Sequence, residues 1–351
     1  SSDVCSSDLE IKLDFELSAA QKSALNNIKN IFNEKKVCLL HGVTGSGKTL
    51  IYIRLIAAQI EQGKQVLFLL PEIALTTQII RKLQSHFGGH VAVYHSKLNP
   101  NERVELWNKI KSNEIKIVLG ARSALFLPFY DLNFIIVDEE HDGSFKQQEP
   151  APRYHARDTA IYYASILNVK VLLGSATPSL ESYYNAVKEK YGLVELNDRY
   201  GEIGLPEIQI VDLKKIVTKD KNKIIISPQL KEAIEENIKK NKQVILFQNR
   251  RGYTPYQVCT VCGWVPHCEH CDVSLSFHKS SNKLHCHYCG STYPLMKVCA
   301  DCGSQSFAQK NFGTEKIEEI VLEQVADAKV QRMDIDSVKG KHGHDTLINL
   351  F

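Results

Sequence analysis

Gly42-Val43-Thr44-Gly45-Ser46-Gly47-Lys48-Thr49 fits the pattern G-x-x-x-x-G-K-[ST], in which glycines let successive backbone N–H groups turn toward one anion. An apolar strand precedes it and an amphipathic helix opens within it, so the helix N-terminus adds its dipole to the same point. In this pattern Gly42, Thr44, Gly45, Ser46 and Gly47 cradle the phosphates of ATP. Lys48 bridges the terminal phosphates, and the Thr49 hydroxyl coordinates Mg²⁺. A glycine-rich turn without a ligand would share the composition but not this strand–loop–helix context. Further along, Phe134-Ile-Ile-Val-Asp138-Glu139-Glu140-His141 ends an apolar run in carboxylates. After such a run Asp138 is expected to hold Mg²⁺ and Glu139 to activate the attacking water. Gly174-Ser-Ala-Thr-Pro-Ser179 closes a third apolar run with small hydroxylated residues, among them Ser175 and Thr177.

A second chemistry lies in the cysteines. Cys5 and Cys38 stand alone, whereas the other eight run C-x₂-C-x₅-C-x₂-C-x₁₄-C-x₂-C-x₉-C-x₂-C from Cys259 to Cys302. Each CxxC makes half of a tetrahedral thiolate site, so four pairs supply two structural Cys₄ zinc ions. The spacing between Cys268/Cys271 and Cys286/Cys289 is close to that of a zinc ribbon, which leaves Cys259/Cys262 to close with Cys299/Cys302. Pairing of neighbours would force one site around a five-residue loop and remains open on spacing alone. An iron–sulfur cluster could also use four cysteines, but regular CxxC pairs favour zinc. His267, His270, His285 and His287 are read as solvated or DNA-facing, since eight thiolates already suffice. Cys38, in an apolar run, is read as core.

The elements that must position these groups alternate along the chain. Strands are expected at 37–41, 66–70, 91–95, 115–120, 134–139 and 169–175, with amphipathic helical segments between them. Near-continuous Val/Ile/Leu strands alternating with helices indicate a parallel sheet covered on both faces. Residues 10–189 are therefore read as one α/β lobe, and 190–226, poorer in pattern, as a linker with a short strand. A second α/β lobe is expected over 227–258 and 303–351, with a strand at 243–250 and another in Val330-Gln-Arg-Met-Asp-Ile-Asp336. The cysteine block 259–302 interrupts it. Residues 1–9 have neither helical nor strand period and are set aside as a non-native segment; the last residues break off inside a helical pattern, as in a fragment.

Bulk composition limits the alternatives. At 351 residues, with 43% hydrophobic and 24% charged, the chain is an ordinary globular sequence of roughly two to three domains. No apolar run approaches the roughly 18 residues of a membrane span, so the expected location is cytoplasmic with no membrane partner. A formal charge of +3 announces no nucleic-acid partner by itself.

The set Gly42–Thr49, Asp138–His141 and Gly174–Ser179, in this order, resembles superfamily 2 helicases with a DExH-type second motif. That resemblance implies two RecA-like lobes, the second incomplete here, with the cysteine-rich module inserted. It also implies that Gln21, in Leu17-Ser-Ala-Ala-Gln21, reads adenine. Single-strand contacts are implied in 69–76, His95-Ser96 and 120–128, the latter containing Arg122. Residues 138–158 together with the eight cysteines resemble the bacterial replication-restart helicases over about 10–351. Phe145, Lys146, Arg153, Tyr154, His155 and Arg157 mix aromatic faces with cations just beyond the carboxylates. Bases stack on such rings for about 1–3 kcal/mol each while cations hold the backbone, so this loop is expected to couple strand binding to hydrolysis. The resemblance further implies nested zinc pairing and 3′-to-5′ movement on single-stranded and forked DNA. It implies recruitment of primosome proteins and single-strand-binding protein as well. The arginine finger of such motors is not found before Phe351, so this chain alone is expected to hydrolyse ATP weakly. An RNA helicase or duplex translocase with the same engine, or a zinc-bearing scaffold with a dead site, are the rival readings. The intact Lys48, Thr49, Asp138 and Glu139 speak against the scaffold.

Overall fold

The computed structural model describes residues 11, 13–71, 77–95, 98–201, 204, 206–213, 216, 226–247, 256–271, 273–278, 282–286, 288–310, 314–326 and 328–333. It divides into two compact units, Ser1–Pro206 and Glu207–Phe351.

The first unit is built on seven parallel strands: β1 (Val37–Gly42), β2 (Gln65–Leu69), β3 (Val91–Tyr94), β4 (Ile117–Gly120), β5 (Leu132–Asp138), β6 (Lys170–Ser175) and β7 (Gly192–Leu196). Their order across the sheet is β3-β4-β2-β5-β6-β1-β7. Alternate side chains on each strand enter opposite cores, as the period of two demands. Cys38, Leu40, Phe68, Leu119, Ile136 and Leu172 face one core, with α1 (Ala19–Glu34) and α2 (Lys48–Ile60) on that side. Leu39, Leu67, Val118, Ile135, Val137 and Leu173 face the other, which holds Ala156, Ala160 and Ala164 of α5 (Ala156–Ile166). Buried on both faces, the strands have no room for polar alternation.

Local chemistry starts the helices. Ser18 and Gln21 form a reciprocal capping box on α1, and Asn99 with Glu102 does the same for α4 (Pro100–Lys111). The Ser179 hydroxyl accepts from Ser182 N at the start of α6 (Leu180–Val187). Between α2 and α4, helix α3 (Thr77–Phe87) follows β2.

All six strands expected in the first lobe form. The short strand expected in the linker is β7, and it pairs in parallel with β1 from Cys38↔Gly192 to Gly42↔Leu196. The expected lobe boundary at 189 is therefore corrected: the sheet continues to 196, because Val194 and Leu196 complete the core beside α1.

In the second unit α7 (Pro228–Lys239) begins at the Ser227 cap, and α8 (Thr314–Gln324) lies beyond the cysteines. Ile234 of α7 and Ile320 and Val321 of α8 share one core with Val244, Leu246 and Val330. The two sequence halves flanking the cysteines thus pack together. The strands expected at 243–250 and 330–336 are not formed over 243–247 and 330–333; the remainder of both lies outside the described residues. Val244, Leu246 and Val330 are packed, but no ladder partner lies beside them among the described residues. Among the described residues no helix is long and apolar enough to cross a membrane.

Val194→Asp tests the revised boundary. A carboxylate in this buried position should lower the stability of the first unit by several kcal/mol in urea unfolding, where a linker residue would tolerate it.

Candidate active site and metal centres

The motifs meet along one edge of the parallel sheet, at the carboxyl ends of the strands, where such sheets bind ligands. The loop after β1 turns through Gly45 (φ 82°) and Gly47 (φ 81°), left-handed conformations that glycine adopts without a Cβ penalty. Gly47 is the N-cap of α2 and offers no side-chain acceptor, leaving the helix's first N–H groups for an anion. Lys48 Nζ donates to Gly42 O at 2.8 Å, which folds the amine back over the loop. Thr44 and Gly45 are exposed, whereas Ser46 is buried with an unpartnered hydroxyl. Gln21 is tied to this loop: its Nε2 donates to Ser46 O at 2.9 Å and its Oε1 accepts from Ser18 N at 3.0 Å.

Beyond β7 the backbone returns to the same loop. Val43 N donates to Leu196 O and Tyr200 N donates to Gly45 O, at 3.1 and 2.9 Å. The sequence reading gave neither Arg199 nor Tyr200 any role.

At the end of β5 the four residues Asp138–His141 divide in function. Asp138 Oδ1 accepts from the Tyr52 hydroxyl of α2 at 2.8 Å. Burial pushes the Asp138 carboxyl up to about 6; the Tyr52 hydrogen bond and the charge of Lys48 oppose that rise, and Glu139 adds to it. Burial, then the Asp138 charge, also holds the Tyr52 phenol well above its ordinary range, so it stays protonated as a donor. Glu139 takes a left-handed backbone (φ 50°), and its carboxylate lies 3.7 Å from His141 Nδ1. His141 Nδ1 is also 2.8 Å from Ser175 Oγ, which accepts from Thr177 N. Glu140 is fully buried and accepts from Ser179 N, Ser179 Oγ, Ser182 Oγ and Arg157 Nη1 at 2.6 to 3.1 Å.

The loop after these carboxylates folds onto the turn beyond β4. Arg122 Nη1 donates to Ser144 O at 2.9 Å, and the Phe126 and Tyr154 rings meet edge-on at 4.9 Å. Gln147 N donates to Tyr154 O, closing a small hairpin that leaves Lys146 and Arg153 exposed. Two of the expected DNA contacts are corrected. Phe145 is fully buried in the sheet's second core, so its ring offers no stacking face. Arg157 is only 8% exposed and spends its guanidinium on Glu140, Asp158 and Ser179. Ser96 lies outside the described residues, as do 72–76.

In the second unit the ladder of β8 (Tyr256–Cys259) with β12 (Phe307–Lys310) closes the cysteine module, a little wider than the expected 259–302. Inside it β9 (Ser276–His278), β10 (Lys283–His285) and β11 (Thr292–Tyr293) form a second antiparallel sheet. The thiols gather as Cys259/Cys262/Cys299/Cys302 and Cys268/Cys271/Cys286/Cys289, each set within 4.8 Å. The Sγ–Sγ separations are 3.6 Å for Cys259–Cys302, Cys262–Cys299 and Cys268–Cys289. A zinc with bonds of about 2.3 Å needs tetrahedral edges of about 3.8 Å, so both sets fit the ion. The pairing is the nested one. Backbone turns repeat at the pairs: Gly263 N, Gly290 N and Gly303 N donate to the carbonyls of Cys259, Cys286 and Cys299. These glycines have φ of 71–83°, and a glycine after the second cysteine was a signal in the sequence that went unread. Cys38 is fully buried, and burial pushes its thiol up to about 12, against the opposing charge of Lys35, as for an inert core cysteine.

Comparison with known proteins bears on both sites. Residues 18–186 match the DEAD/DEAH box helicase family, and 268–294, enclosing the inner thiol set, match the PriA DNA helicase Cys-rich region domain. The chain is 42% identical over 337 residues to the replication restart protein PriA of Bacillus subtilis, covering 95% of this chain and 42% of that protein. It is 42% identical over 305 residues to PriA of Haemophilus influenzae, covering 87% and 41%. PriA of Chlamydia muridarum is 39% identical over 340 residues, with 95% and 45% covered. The chain belongs to the PriA family. It spans less than half the length of these PriA relatives.

Two outcomes follow for a PriA-family chain built this way. Cys286→Ser should reduce the zinc content from two ions per chain to one, read by metal analysis after gel filtration, because the two thiol sets share no ligand. Phe145→Ala should cost about 3–5 kcal/mol of stability, as for an aromatic removed from a core. Urea unfolding of the variant checks this, and a folded variant with only weakened DNA binding would contradict it.

Proposed function

We propose that this chain is the ATP-driven motor part of a DNA helicase that acts in replication restart. The observation that carries the reading is the meeting of Lys48, Asp138, Glu139 and Ser175 at the ends of three adjacent strands, β1, β5 and β6. The His141–Ser175 contact links the carboxylate strand to the next motif. The family match supports it.

In this reading the first N–H groups of α2 and Lys48 bind the triphosphate, and Gln21 uses its remaining N–H toward adenine. Bound Mg²⁺ supplies charge neutralisation of the phosphates, and Thr49 and Asp138 are the groups that would hold it. In the same reading Glu139 orients and deprotonates the attacking water. Contacts to the strand fall to Ser96, Arg122, Lys146, Arg153 and Tyr154; Phe145 and Arg157 serve the same loop from inside the core. Because Arg122 holds Ser144, displacement of the loop by a strand would be felt two residues from His141–Asp142. Movement 3′-to-5′, a preference for forked DNA, primosome proteins and single-strand-binding protein as partners, and a bacterial cytoplasmic location follow from the PriA resemblance. The zinc ions serve folding of the inserted module rather than the reaction.

ATP hydrolysis by the full-length protein, measured without nucleic acid and with single-stranded DNA, forked DNA or RNA, tests this. Single-stranded and forked DNA should stimulate turnover, and Lys48→Ala should lose about two orders of magnitude or more, as when a donor to the developing charge is removed. RNA as the stronger activator, or no stimulation by any nucleic acid, would contradict the DNA-motor reading.

A further inference from the structure

The floor of the nucleotide site contains a contact that the motif reading does not include. Tyr52 sits one turn into α2, beyond Lys48 and Thr49, and is fully buried. Its ring is locked edge-on against Phe68 of β2, with centroids 5.5 Å apart. Its hydroxyl donates to Asp138 Oδ1 at 2.8 Å. The neighbouring strand makes room for this bond: position 174 on β6 is glycine, and a Cβ there would overlap the Tyr52 hydroxyl and stand 3.1 Å from Asp138 Oδ1. Three elements therefore converge on one carboxylate oxygen: the helix that opens at the phosphate loop, the strand that carries Asp138, and the strand that leads to Ser175.

We propose that Tyr52 is a positioning residue for the cation: it occupies Oδ1 of Asp138, fixes the carboxylate's rotation, and leaves Oδ2 as the oxygen presented to Mg²⁺. The inference rests on the nucleotide-site reading above. A ligating carboxylate is commonly oriented by a second hydrogen bond, and losing that partner typically costs about 10–100-fold in metal affinity. Tyr52 supplies that bond from the same helix that carries Lys48 and Thr49, so phosphate and cation ligands share one rigid support. The glycine at 174 is then required by the hydroxyl rather than by backbone conformation, since its φ is not left-handed.

Binding of ADP, titrated with and without Mg²⁺ by calorimetry and without turnover, tests this. The unaltered chain should bind ADP more tightly when Mg²⁺ is present. Tyr52→Phe keeps the ring and should reduce that Mg²⁺-dependent gain by about tenfold or more while leaving metal-free ADP binding unchanged. Gly174→Ala should act the same way by displacing the hydroxyl. The double variant Tyr52→Phe/Gly174→Ala should recover part of the thermal stability lost in Gly174→Ala, because the overlap with the hydroxyl is gone while the ring's Cζ stays 3.0 Å from the methyl, but not the Mg²⁺ response. An unchanged Mg²⁺ response in Tyr52→Phe would overturn the proposal. So would an equal loss of metal-free and Mg²⁺-dependent binding, which would mark a merely structural tyrosine. If the unaltered chain bound no ADP, or Lys48→Ala bound it equally well, the nucleotide reading itself would fail, and this inference with it.

Discussion

A fully buried carboxylate needs partners, and Glu140 at the end of β5 is such a group. Leaving one unpaired in a protein interior costs several kcal/mol, so the chain around it must deliver donors. Four arrive: the backbone and hydroxyl of Ser179, the Ser182 hydroxyl and the Arg157 guanidinium. Ser179 and Ser182 belong to the start of α6, and Arg157 to the first turn of α5. Satisfying one charge therefore pins the loops after β5 and β6 and the return of the exposed hairpin. Asp138, Glu139 and His141 are held on either side of that pin, and Ser175 is brought to His141. The three acids in a row have three different surroundings: Asp138 against Tyr52, Glu139 turned outward on a left-handed backbone, Glu140 enclosed.

The cysteine module answers a different constraint. Its core is small, centred on Leu275, Phe277 and Leu284 with Cys268 and Cys286. A core of that size rarely holds a fold alone, and metal ligation can supply the missing free energy. In every pair the first cysteine is buried and the second more exposed. The thiolates thus sit at the junction of core and surface, with tight glycine turns shaping three of the knuckles. Nested pairing joins the ends of the module at the outer site, close to the β8–β12 ladder, so an inserted segment leaves its host core continuous.

Much of this was legible because it depends on local pattern. Continuous Val/Ile/Leu runs placed six strands. The phosphate loop and CxxC pairs carry their chemistry in consecutive residues. What escaped was set by distant contacts. Whether β7 is linker or sheet depends on pairing with β1, roughly 150 residues earlier, and nothing in Gly192–Leu196 records that. Phe145 and Arg157 have the residue types of a nucleic-acid loop, yet burial in one case and Glu140 in the other claim them. Tyr52 reads as one more apolar position of a helix until Asp138, 86 residues away, is seen to accept from it.

The division of labour among the three acids is tested most directly by urea unfolding of Glu139→Gln and Glu140→Gln side by side. Glu140→Gln should lose roughly 3 kcal/mol or more, since Arg157 keeps a mostly buried charge with only the more exposed Asp158 left as its ionic partner. Glu139→Gln, at an open position, should unfold close to the unaltered protein. Equal stability of the two variants, or a larger loss in Glu139→Gln, would contradict the account of Glu140 as the group on which the site's geometry depends.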